Sequence, residues 1–355
     1  MEALRIDIKT GKNEYNMSIT LQFFESANQF NTSTIDQTQM NKGYICQLHD
    51  QSLILANGED AASFLHSQFS NDVEHLSQNE ARYAAYCTPK GRMLASLFYW
   101  KDSDNILLQC SASLQPALQK RLQMYVMRSK VKLNDVSEQF AVVGLGGEAA
   151  ISYLTTLFGK LPTNLHEKIS QEQGTLIRVH DALESARYQW IVSHERFIEI
   201  ASSIPDQLKV VDSSIWRLGN ILAGIPQVLE QSKEKFVPQM INFELIGGVN
   251  FKKGCYPGQE IVARSQYLGK LKRRMAIATV NADAVEVAME IFSDNDTSQA
   301  CGMIVNAERG FHKEFVCLVE IKLADQEQDK VHLGQQDGPV LNFLPLPYAY
   351  LDVTE

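Results

Sequence analysis

The sequence predicts an α+β protein of several domains that ends in a small antiparallel β-barrel, and three observations carry that expectation. The chain has 355 residues, more than one ordinary hydrophobic core serves. As far as about residue 212, apolar runs of strand length alternate with stretches of helical spacing. Beyond Gln266, short strands follow one another between turn residues: RRMAIATV, VEVAMEIFS, QACGMIVNA, EFVCLVEIKL and VLNFLPLPY.

Residues 1–43 are rich in Asn, Gln, Ser and Thr, with short apolar patches such as Leu21 to Phe24, which is the composition of a loosely ordered extension. Met17, which opens MSITLQFF, is an alternative start of the chain. Folded sequence begins near Gly43. SLILANG reads as a strand entering a turn, and Leu65, Phe69, Val73 and Leu76 then recur at helical spacing. In RYAAYCTPKGRMLASLFYW, Thr88-Pro89-Lys90-Gly91 has the composition of a turn joining two strands. DNILLQC supplies a third strand. Ser113 is placed to cap a helix whose early turn tolerates Pro116 and whose stripe includes Leu118, Leu122 and Tyr125 or Val126.

A second α+β unit starts at QFAVVGLGGEAAISYLTTLFG. Gly144, Gly146 and Ala149 imitate a phosphate-binding G-x-G-x-x-G/A turn, but the match is weak, because Glu167 in PTNLHEK does not stand at the end of a second strand as the acidic residue of a dinucleotide site should. A plain strand-to-helix turn is the preferred interpretation. TLIRVHD, RYQWIVS and HERFIEIASSIPDQL continue the alternation. DSSIWRLGNILAGIP reads as a helix that ends at Gly224 or before Pro226, with Ile215, Leu218, Ile221 and Leu222 on one apolar face. Trp216 falls off that stripe, and beside it Gly219, Asn220 and Ala223 leave a shallow space. Either another domain fills the space or the indole is a flat platform for a planar ligand.

Composition narrows the function. At 45% hydrophobic and 21% charged, the chain is globular rather than disordered or fibrous. A formal charge of −9 argues against coating nucleic acid with the whole surface, so an anionic partner must meet a local basic patch. No apolar run approaches the roughly 20 residues that span a bilayer, so a soluble cytosolic protein without a membrane partner is expected. Six scattered cysteines form no C-x-x-C pair and no zinc spacing, which suits reduced thiols.

The densest chemistry lies between Lys252 and Arg274. Lys252, Lys253, Arg264, Lys270, Lys272, Arg273 and Arg274 face one carboxylate, Glu260. Such a run is either a solvated face or a groove that draws in an anion. Pro257-Gly258 fits the centre of a type II turn, after which Gln259 to Arg264 can begin a helix. Cys255 then sits near that helix's N-terminus with Lys253 close by, and both favour thiolate over thiol. Esterase, zincin and P-loop motifs are missing from the chain.

KKGCYPGQEIVAR resembles the K-G-C-Y-x-G-Q-E signature of the YgfZ family of folate-binding proteins, relatives of the glycine-cleavage T-protein. Agreement continues through AGIPQVLEQSKEKFVPQMINFELIGGVNFKK, CTPKGRML, MYVMRSKVKL and PLPY, from about Gly43 to Tyr348. The resemblance implies a three-domain ring of the T-protein type around a central channel that holds tetrahydrofolate or a derivative. Its parts would be an extension at 1–43, a folate-binding α+β domain at 44–135 with 213–265, a second α+β domain at 136–212, and the barrel at 266–355. The family's folate-contacting tryptophan matches Trp216. A second folate-associated tryptophan falls at Gln51, which removes one stacking surface. Lys253, Cys255, Gln259 and Arg264 carry over directly, and Pro257 stands where close relatives often have threonine.

The function implied is that of a tetrahydrofolate-binding accessory protein for the maturation or repair of iron–sulfur enzymes, a radical tRNA methylthiotransferase among them, without classical turnover. Cys255 would be its reactive thiolate. A pterin would stack on Trp216 while the anionic glutamate tail meets Lys253 or Arg264, with indole and sulfur-bearing bend sharing one cavity. The rival is an aminomethyltransferase-like enzyme that moves a one-carbon unit. A monomer is expected. Direct nucleic-acid binding is not, because no aromatic module accompanies the basic run at 270–274.

Overall fold

Alternation along Ser185–Ser193 puts Tyr188, Trp190 and Val192 on one side of a strand and Arg187 and Gln189 on the other. That division organises half of the computed structural model, which describes residues 10–27, 35–267, 271–295, 299–328 and 330–350. Contacts separate the chain into two units. One comprises Met1–Ala61, Leu76–Ala81 and Tyr99–Gly219, the other Ala62–His75, Arg82–Phe98 and Asn220–Glu355.

In the first unit, Ser185–Ser193 lies inside a six-stranded sheet ordered Lys209–Val210, Tyr44–Gln47, Phe140–Gly146, Ser185–Ser193, Gly174–Ala182, Lys168–Gln171. All its pairings are antiparallel except that of Tyr44–Gln47 with Lys209–Val210. The apolar side, with Ile45, Val143, Leu145, Trp190 and Val192, packs against Leu154 and Phe158 of the Glu148–Phe158 helix and Phe197 of the His194–Ala201 helix. Burying each side chain of this size contributes about 1.5–3 kcal/mol. Gln51–Asn57 pairs antiparallel with Asn105–Ser111 and with Lys132–Asp135, and the helix Gln115–Val126 covers them. Ser113 does not cap that helix: its hydroxyl meets Ser111 at 2.9 Å, and Leu114 occupies the cap without a side-chain bond.

Within the described residues the N-terminal stretch departs from the expected loose extension; positions 1–9 and 28–34 of that extension lie outside them. Thr10–Ala27 and Gln37–Lys42 are helical, the second opened by a capping box on Asp36. Phe24 is buried and stacks on Phe197 with ring centroids 5.3 Å apart. Polar composition concealed a helix whose few aromatics complete a core that sequence-distant residues build.

In the second unit, Val331–Leu333, Glu290–Ser293, Gly302–Arg309, Phe315–Lys322, Arg273–Val280 and Leu341–Leu344 form an antiparallel sheet in that order. A bridge between His332 and Val340 brings its two outer strands together, so the sheet curls as the C-terminal barrel pattern predicts. The helix expected as far as Leu76 ends at Gln68. Beyond it the polar side chains of Ser70 and Asn71 take over: Ser70 Oγ donates to Gly248 O at 2.6 Å, and Asn71 Nδ2 to Tyr83 O and Gly247 O at 2.7 Å each.

Candidate functional site

Trp216 lies on the polar side of the first unit's sheet, in the helix Ser214–Leu222. Asp212 Oδ1 accepts the Ser214 N–H at 2.8 Å and so starts that helix. The indole rests on Gly144, where an added Cβ would come within 2.4 Å of Cε3. Its ring is covered by the guanidinium of Arg187, with Cζ 4.5 Å from the centroid. Arg187 donates Nε–H to His180 O at 2.9 Å and Nη1 to Trp216 O at 3.3 Å. The shallow space expected beside Gly219 is therefore filled: a Cβ there would lie 2.5 Å from Arg187 Nη1. Trp216 retains 5% exposure and Arg187 1%, so the indole is a closed sandwich rather than an open platform.

Carboxamides flank this sandwich. Gln189 stands opposite Gly144 in the ladder, which places its side chain on the Trp216 side of the sheet. It exchanges hydrogen bonds with Gln109, Nε2 to Oε1 at 2.6 Å one way and 3.2 Å the other. Gln109 Nε2 also donates to Gln51 Oε1 at 3.3 Å, so Gln51 closes an amide chain where the resemblance expects a second indole. Asp50 accepts from Gln51 at 3.3 Å and faces Arg217 at 3.4 Å. Beside them, burial pushes the Tyr44 phenol up, with Arg187 opposing.

The KKGC bend belongs to the second unit. Gly258 takes φ 84°, as a type II turn after Pro257 requires, and its Cα packs against the Thr88 and Gly91 backbone so closely that a Cβ would be 2.4 Å from Thr88 O. The helix that follows is Gln259–Tyr267. Lys253 is 8% exposed, and its Nζ donates to Phe69 O at 2.8 Å and to His66 O. The cation thus satisfies carbonyls at the end of Ala61–Gln68 and is spent inside the fold. Burial brings Lys253 down to about 8, with Asp72 and Glu74 pulling the other way. Gln259 Nε2 returns to Lys253 O at 3.4 Å, and Arg264 is exposed.

Cys255 is the one exposed thiol among the six cysteines. Burial pushes Cys87, Cys110 and Cys317 up to about 12 and Cys301 to about 11, and raises Cys46 as well, which makes them inert packing. Trp216 and Cys255 fall in different units. The basic run divides. Arg273 Nη1 donates to both carboxylate oxygens of Glu320 at 2.9 and 3.0 Å, Arg274 pairs with the buried Glu244, and Lys252 and Lys272 are exposed. Lys270 lies outside the described residues. Among the described residues, no group of three His, Cys, Asp or Glu side chains could hold a metal ion, and no helix is long and apolar enough to cross a membrane.

Arg187, Gln189 and Gln109 were not singled out by sequence. Their signal was Gly144 and Gly146, two glycines inside a strand, which mark close approach of another group. Gly144 admits Trp216 and Gly146 admits the Tyr44 ring. The strand does pass into a helix at Gly147, as preferred over a nucleotide turn.

Residues 13–176 match the GCVT N-terminal domain. The chain is 27% identical over 304 residues to the "tRNA-modifying protein YgfZ" of Shigella boydii, covering 85% of this chain and 92% of that one. Against the protein of the same name from Hamiltonella defensa it is 28% identical over 281 residues, covering 78% and 79%. The crystal structure of glycine cleavage system aminomethyltransferase T from Bartonella henselae superposes with a TM-score of 0.74 over 93% of this chain and 96% of that one, at 14% identity. The fold is therefore of the T-protein type, and the resemblance carried by KKGCYPGQE extends over most of the chain.

Proposed function

Because this chain is a relative of the YgfZ tRNA-modifying proteins over most of its length, we propose that it is a cytoplasmic folate-binding protein that supports tRNA modification. In finer terms, it binds tetrahydrofolate and serves iron–sulfur enzymes, a tRNA methylthiotransferase among them, with Cys255 as the reactive thiol. The observation that carries the folate part is the Trp216 sandwich, in which a planar, hydrogen-bonding guanidinium already lies on the indole. A pterin is also planar, and its lactam edge offers a donor beside an acceptor, as the Gln109 and Gln189 carboxamides do for each other. Withdrawal of Arg187 would open the slot to the ring. In the second unit, Lys253 acts by holding the bend.

Calorimetry of tetrahydrofolate with the full chain tests this. Wild type gives saturable heat, and Trp216→Ala weakens affinity at least tenfold, the loss of one stacking face. Unchanged affinity in Trp216→Ala refutes the slot. Complementation of a host strain lacking its own relative tests the rest: wild type restores tRNA methylthiolation and Cys255→Ala does not. Full rescue by Cys255→Ala removes the thiol's role and leaves folate binding standing.

A further inference from the structure

Between Asp104 and Asp135 the chain contains no carboxylate and five cations, Lys120, Arg121, Arg128, Lys130 and Lys132, in a protein of net charge −9. Lys120 and Arg121 lie midway along the helix Gln115–Val126, Arg128 and Lys130 in the turn after it, and Lys132 opens the strand Lys132–Asp135. The same short stretch carries three large apolar side chains in solvent: Met124 at 62%, Tyr125 at 48% and Met127 at 88% exposure. The helix buries Leu118 and Leu122, so its core-facing stripe is already satisfied and these three lie outside it. Arg121 lies over the Tyr125 ring, Cζ 5.9 Å from the centroid, so cation and aromatic are presented together. Lys130 is neutralised by Glu59 at 2.7 Å, while Lys120, Arg128 and Lys132 are exposed.

We propose that this helix end is a docking surface for single-stranded RNA, with Tyr125 stacking a base, Met124 and Met127 bordering it, and Lys120, Arg128 and Lys132 meeting phosphates. Charge complementarity selects a polyanion, and an exposed ring beside cations suits unpaired bases, which present a π-face whatever their sequence. A bilayer is the poorer match, since the helix spends its apolar stripe inside the fold and leaves no long apolar face to insert. The choice of RNA rests on the tRNA-modification role proposed above; the surface itself does not depend on folate binding.

The test is fluorescence anisotropy of the full chain with labelled twelve-nucleotide oligouridylate and with an RNA duplex of equal length. The single strand binds more tightly than the duplex. The triple variant K120E/R128E/K132E weakens single-strand binding at least tenfold and flattens the slope of log affinity against log salt by about 2, each single-strand phosphate contact contributing roughly 0.7. Tyr125→Ala weakens binding by about tenfold at unchanged slope, because it removes a stack and no charge. Equal affinities for wild type and both variants overturn the proposal, as does binding to phosphatidylglycerol vesicles with none to RNA. Melting temperature verifies that each variant is folded. Tetrahydrofolate calorimetry on the same samples separates a failure here from a failure of the folate slot.

Discussion

Replacing Gly144 by alanine tests the closed sandwich around Trp216. The new methyl carbon would stand 2.4 Å from Cε3, 2.8 Å from Cδ2 and 2.9 Å from Cζ3 of the indole. Relaxed carbon–carbon contact is about 3.5–4.0 Å, so the overlap is on the order of 1 Å and involves three ring atoms. The indole has little room to retreat, because the Arg187 guanidinium covers it at 4.5 Å and is itself tied to the carbonyls of His180 and Trp216. Overpacking of this kind costs about 1–3 kcal/mol. For a unit of this size that lowers the melting temperature by roughly 3–10 °C. Differential scanning calorimetry reads the shift, and acrylamide quenching of tryptophan fluorescence reads whether the ring has been forced outward. Gly254→Ala is the control, since the nearest atom to its new Cβ is His66 Nε2 at 3.7 Å, an ordinary contact. A melting temperature for Gly144→Ala equal to wild type, with quenching unchanged, refutes the packing described for Trp216.

Further outcomes follow from the same geometry. Arg187→Met removes the guanidinium that donates to the His180 and Trp216 carbonyls and covers the Trp216 ring, and lowers unfolding free energy by about 1–3 kcal/mol in urea titration. Burial lowers His166 to about 3, His180 to about 4 and His194 to about 4, so all three are neutral in the native chain near pH 6 while the unfolded chain takes up protons below about 6.5. Stability therefore falls as pH drops from about 6.5 towards 4, and His194→Gln flattens that slope in urea midpoints taken across the range. Native protein titrates one fast thiol with Ellman's reagent, Cys255, and six in denaturant; a second fast thiol contradicts the burial of the other five. Lys253→Met leaves the carbonyls of His66 and Phe69 without their donor and costs about 1–3 kcal/mol by chemical denaturation.

Local pattern determined a good deal. Apolar runs of strand length between turn residues placed the strands around SLILANG, RYQWIVS and the C-terminal barrel. Pro257-Gly258 fixed a turn because proline presets one backbone angle and glycine accepts the next. Thr88-Pro89-Lys90-Gly91 did the same for the hairpin, where Gly91 takes φ 71°. The KKGCYPGQE signature carried a resemblance that extends over most of the chain. Helix ends were less legible: the helix at Ala61 stops at Gln68, where the Ser70 N–H turns to Ala85 O and Lys253, far along the chain, donates to Phe69 O.

What the sequence by itself determined was most of the strands and helices beyond residue 43, though not where each helix ends, which cysteine sits in a polar bend, and which tryptophan stands off its helix's apolar stripe. Tertiary structure alone decided what each of those groups touches. It turned Lys253 from a prospective ligand for an anion into a helix-end donor, closed Arg187 over Trp216, gathered three glutamines from three separate strands, and drew Phe24 into a distant core. Periodicity is a property of neighbours a few residues apart and is written in the chain. Partners separated by 29 positions, as Arg187 and Trp216 are, or by 184, as Lys253 and Phe69 are, meet only once sheet register and burial fix where each side chain points.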